Sequence, residues 1–74
     1  MKKHELNIYL VSEEENTLSL VFNYKSDNMK DIHETLKNKV TEYTKADDVE
    51  YIINTYKNNE IVKVQTGSYL QVEV

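Results

Sequence analysis

The chain contains no cysteine, arginine, tryptophan or proline, and a single glycine, Gly67. Without cysteine there is no disulfide framework, no thiolate zinc site and no thiol nucleophile. Such usage suggests a reducing cytoplasm. Every basic side chain apart from His4 and His33 is a lysine. Planar guanidinium forks for phosphate, carboxylate or guanine are therefore unavailable. One glycine cannot build a Gly-rich phosphate loop. Long apolar runs are also missing. Met1-Lys2-Lys3 resembles the basic start of a secretion signal, but Glu5 follows at once and the run from Ile8 to Val11 is too short for a signal core or a membrane span. The expectation is a soluble, cytoplasmic protein.

What is present is a mixed surface. The 74 residues carry a net charge of −4, with acids and lysines interleaved. That balance argues against tight nonspecific binding to nucleic acid or to an anionic membrane. Lysine-only basic usage with abundant Asn, Ile and Tyr suggests an AT-rich genome, such as that of a low-GC bacterium or one of its phages or mobile elements. Residues 1–74 make one small domain, near the size at which burial barely exceeds the entropy cost of folding.

Hydrophobic alternation predicts two hairpins. Leu6, Ile8 and Leu10 alternate along the first segment, and Leu18, Leu20 and Phe22 along the second. Folding about Glu13-Glu14-Glu15 would set Leu10 on Leu18, Ile8 on Leu20 and Leu6 on Phe22, all on one face. Strands are expected at about 5–11 and 17–24. A second fold about Thr66-Gly67-Ser68 would set Val64 on Leu70, Val62 on Val72 and Glu60 on Val74 on a matching apolar face, with strands at about 60–65 and 69–74 and Gly67 supplying a positive φ.

Between the hairpins lie two amphipathic stripes. Ser26, Asp27 and Asn28 are capping residues, and Met29, Ile32, Leu36, Val40 and Tyr43 recur at helical spacing. Val49, Ile52, Ile53 and Tyr56 form a second stripe. On one continuous helix it would be rotated by roughly 150° from the first. Asp47 and Glu50 resemble a capping box for a new start. Two helices are therefore expected, at about 28–44 and 48–57, with one long helix as the alternative. Asn58-Asn59 would close the second helix in the left-handed conformation. The resulting order is ββααββ, an α+β two-layer sandwich with both helices on one face of a four-stranded antiparallel sheet.

Candidate chemistry is sparse. His33 sits beside the first stripe and His4 near the N-terminus, and both read as structural. Asp31, His33 and Glu34 do not share a helical face, and Asp47, Asp48 and Glu50 suit a helix start, so no metal or cofactor is expected. Glu13 to Glu15 form a solvated turn. The strongest signal is an outer sheet face carrying Tyr9, Val11, Val21, Ile61 and Tyr69. The expected function is non-catalytic: binding a protein partner or a second copy of the chain through that face. The alternative is a nucleic-acid-associated regulator using Lys30, Lys37, Lys39 and Lys45 of the first helix.

Overall fold

The computed structural model describes residues 2–42 and 49–68. Strands β1 (Lys2–Ser12) and β2 (Thr17–Ser26) precede helix α1 (Met29–Val40), and β3 (Val49–Lys57) and β4 (Glu60–Ser68) follow it. The four strands form one antiparallel sheet in the order β2-β1-β3-β4. The α+β class holds, with one helix among the described residues where the sequence suggested two.

Helix α1 begins where capping chemistry places it. The Asn28 side chain accepts the Lys30 backbone N–H at 2.9 Å, and the Asn28 carbonyl accepts from Ile32 at 3.2 Å. Ile32, Leu36 and Val40 are buried, and Met29 packs at the rim. They meet Leu6 and Ile8 of β1 and Val49 and Ile53 of β3. Among the described residues this seven-residue cluster is the core. Tyr43, the last member of the expected stripe, and Asp47, the expected cap, lie outside the described residues.

The segment expected as the second helix is β3. Its residues fit either period: Val49, Ile52, Ile53 and Tyr56 at helical spacing, or Val49, Tyr51, Ile53 and Thr55 at strand spacing. Six of its nine residues, as Val-Glu-Tyr-Ile-Ile-Asn-Thr-Tyr-Lys shows, are β-branched or aromatic, which favours a pleated surface. Pairing on both sides, with β1 and β4, decides the matter. Asn58 and Asn59 do take positive φ, 52° and 65°, but as the two central residues of a tight hairpin between Lys57 and Glu60. Both residues positive is the type I′ pattern, whose twist matches the flanking strands. Gly67 is no turn residue either. It lies within β4 opposite Tyr51, without a positive φ, and a Cβ there would meet the Tyr51 ring at 2.6 Å. Glycine at this point leaves room for the ring to lie across the neighbouring strand. The expected strand at 69–74 lies outside the described residues.

The first hairpin forms, but in a different register. Ser12 pairs with Thr17 around a four-residue loop that ends on Asn16 at φ 54°. Leu10 pairs with Ser19 and Tyr9 with Leu20, whereas Ile8 pairs with Phe22 and Leu6 with Tyr24. Val21 is the extra residue of a β-bulge. Because side chains alternate with period two, one inserted residue reverses the facing of everything beyond it. Phe22 and Tyr24 therefore lie under the helix, and Leu18 and Leu20 are turned to the opposite face. The aromatic pair earns its place there by specific contacts. The rings stack at 6.4 Å, Lys39 Nζ lies 4.5 Å above the Phe22 ring, and the Tyr24 hydroxyl donates to Asp31 at 2.6 Å.

Two expected outcomes follow from this register. Ile8→Ala should cost about 2–4 kcal/mol by urea denaturation at low protein concentration, whereas Leu20→Asn should cost under about 0.5 kcal/mol; equal costs would restore the unbulged hairpin. Asn59→Gly should stabilise by a few tenths of a kcal/mol and Asn59→Val should destabilise by about 1–2 kcal/mol, whereas a helical 48–57 would give no such ordering.

Candidate interaction surface on the outer sheet face

One helix cannot cover four strands. Its diameter is about 10 Å, and a four-stranded sheet is roughly 19 Å wide. The face opposite α1, here the outer face, has no helix on it among the described residues. Its side chains fall in rows across β2, β1, β3 and β4. At one end Lys3, Tyr56 and Ile61 are neighbours. The next row is Lys25, Glu5, Asn54 and Val64, and then Asn23, Asn7, Ile52 and Thr66. Leu20, Tyr9, Glu50 and Ser68 follow, and Leu18 and Val11 pair at the far end.

The middle of this face is polar and tightly bonded. Asn23 donates to the Glu5 carboxylate at 3.1 Å and to the Asn7 side-chain carbonyl at 2.6 Å. Asn54 and the Tyr56 hydroxyl donate to the other Glu5 oxygen at 3.4 and 3.2 Å. Lys25 Nζ is 4.0 Å away. Partial burial alone would raise the pKa of Glu5. The hydrogen bonds from Asn23, Asn54, Asn7 and Tyr56 outweigh it and hold the carboxyl below its ordinary value. Burial and the adjacent Glu5 charge push the Tyr56 phenol up. On the helix side, the hydrogen bond to Asp31 likewise raises Tyr24.

Two apolar corners lie diagonally across the polar centre. One holds Tyr9, Val11, Leu18 and Leu20, with Val21 beside it at the bulge. The other holds Ile61 and Val64. Among the described residues every exposed large hydrophobic sits on an edge strand: Leu18 (59% exposed), Leu20 (55%) and Val21 (41%) on β2, and Ile61 (53%), Val62 (53%) and Val64 (54%) on β4.

Of the residues expected on this surface, Tyr9 and Val11 are half-buried on it, Val21 is the bulge residue, and Ile61 lies in the other corner. Tyr69 lies outside the described residues. Leu18, Leu20 and Val64 join the surface although alternation assigned all three to the core. The run Thr17-Leu18-Ser19-Leu20 carries no mark of a bulge, so only the pairing reveals them. Glu5 and its amides are visible as a polar alternation but acquire meaning only once the register is known.

The remaining candidates separate from this face. His4, expected near the N-terminus as a structural residue, is buried on the helix side with Nδ1 2.9 Å from the Thr55 hydroxyl. His33 is exposed on α1, beyond the buried stripe. Lys30 and Lys37 are exposed, whereas Lys39 is taken up by Glu42 at 3.1 Å and by Phe22; Lys45 lies outside the described residues. No group of three metal-ligating side chains occurs among the described residues, and no helix among them is long and apolar enough to cross a membrane.

The Glu5 centre predicts a specific pH dependence. Its folded carboxyl is the stronger acid, so its contribution to stability is full above the unfolded value near 4.5 and fades as pH falls through the lower folded value. Glu5→Gln should therefore be less stable than the parent by roughly 1 kcal/mol at pH 7, with the gap closing in acid. Thermal melts of both proteins across pH 3–7 (roughly the carboxylate range) check this, and a gap independent of pH would refute it.

Compared with family models, curated proteins and solved structures, the chain matches none of them.

Proposed function

We propose that this chain is a small, non-enzymatic interaction protein that works by presenting its outer sheet face to another protein. One observation carries the reading: a bulge turns Leu18 and Leu20 away from the helix and gathers them with Tyr9 and Val11 on a face where they stay accessible. Exposing two leucines beside a tyrosine and a valine has a solubility cost, and contiguous apolar surface rimmed by polar groups is the usual mark of a docking site. The rim is supplied by Glu50, Lys25 and the Asn7–Asn23 pair. The tyrosine offers a rigid, amphipathic anchor of the type that dominates binding energy. The face is rigid beneath the contact, because the Glu5 hydrogen bonds tie β2, β1 and β3 together.

Tyr9→Ala combined with Val21→Asp should weaken association at least tenfold while leaving the thermal midpoint nearly unchanged. The measurement is affinity capture from the native host with the full chain as bait, followed by titration of the captured protein against parent and variant. Equal binding by both would remove the outer face from the function.

A further inference from the structure

We infer that the protein seated on this face is a second copy of the chain, packed face to face with its strands crossing those of the first. The inference rests on the outer-face reading above and adds the identity and geometry of the partner. Charge is the first argument. Lys3 and Lys25 lie toward one end of the face, where Glu5 already has donors on both oxygens, and Glu50 lies toward the other, with Glu13, Glu14 and Glu15 on the loop beyond. A uniformly acidic or basic partner meets repulsion at one end. A surface with the reverse order meets attraction at both, and a rotated copy of this face has that order.

The arrangement of the rows then selects one rotation. A symmetric dimer has a two-fold axis, and each patch meets the patch its rotation brings. An axis along the strands sets Lys25 over the Val64 column. An axis across the strands sets Leu20 over Lys25. An axis on the diagonal through the lysine corner sets Lys25 over Lys25. Only the diagonal joining the two apolar corners avoids these clashes in the three shared rows: Leu20 faces Leu20 of the second copy, Val64 faces Val64, and Lys25, set over the Ser68 corner, turns toward the adjoining Glu50. Lys25 is free to do so, being 74% exposed and only loosely held by Glu5 at 4.0 Å. Strands then cross at a steep angle, as in orthogonal sheet packing. The overlap is about 19 Å square, on the order of 400 Å² per copy in projection. That is at the small end for specific interfaces, so the dimer is weak and exchanging, with a dissociation constant on the order of micromolar.

Sedimentation of the full chain from roughly 5 to 500 μM, a range that brackets such an affinity, tests this together with circular dichroism to confirm folding. Lys25→Glu and Glu50→Lys should each weaken the dimer about fivefold or more, and the two changes combined should restore it to within about twofold. Leu20→Asp should leave a folded monomer. A parent chain that stays monomeric throughout overturns the second-copy inference alone, and the outer-face reading is then decided by the capture titration. A dimer indifferent to Leu20→Asp and to both charge reversals, as edge-to-edge pairing of β4 would be, overturns it too, as does a double variant that fails to recover.

Discussion

The pairing of Ile8 with Phe22 on one side of Val21, and of Tyr9 with Leu20 on the other, is the constraint from which the rest follows. A strand has two faces and no third option. Inserting Val21 without a partner gives β2 a helix-facing half that ends in Phe22 and Tyr24 and an outward half that carries Leu18 and Leu20. The first half builds the platform for α1, through the Tyr24–Asp31 hydrogen bond and the Lys39 contact above Phe22. The second half builds the surface. A single irregularity thus separates the residues that hold the helix from those left available to a partner.

The core that results is narrow. Among the described residues, seven buried side chains from α1, β1 and β3 fill it, and no β4 residue belongs to it. β4 is held by its backbone ladder to β3 and by the Tyr51 ring lying against Gly67. The outer face is held differently, by a carboxylate with amide donors from both neighbouring strands. Glu5 reaches Asn23 on β2 and Asn54 and Tyr56 on β3, so it joins three strands where the opposite side of the sheet uses leucine and isoleucine. A partly buried charge is tolerated because each oxygen has a donor.

Much of the architecture is legible in the sequence itself. Alternation located β1 and β2, and the Asn28 cap with its Ile32–Leu36–Val40 stripe located α1. Asn58-Asn59 was recognised as a left-handed pair, although assigned to a helix end. The second helix was misread because Val49, Ile52, Ile53 and Tyr56 satisfy the helical period as well as their alternates satisfy the strand period, and pairing with β1 across some fifty residues of chain (Lys2 opposite Lys57) is invisible locally. Gly67 was misread because a lone glycine signals a turn more readily than it signals an aromatic ring on the next strand. For the surface, Val21 is the unpaired bulge residue rather than a regular outward position, whereas Tyr9, Val11 and Ile61 were legible as outward. Leu18 and Leu20 were not, since a bulge leaves no composition behind it.

β1, one of the two central strands of the sheet, precedes both of its neighbours, β2 and β3, along the chain. During synthesis β1 and β2 emerge well before β3, and for that interval one edge of β1 and the apolar row Leu6, Ile8 and Leu10 have only half their final surroundings. Closing the sheet must await a long-range contact, which slows folding relative to a protein whose neighbours in space are neighbours in sequence. The nascent hairpin is thus the stage at which the chain has most apolar surface still to cover.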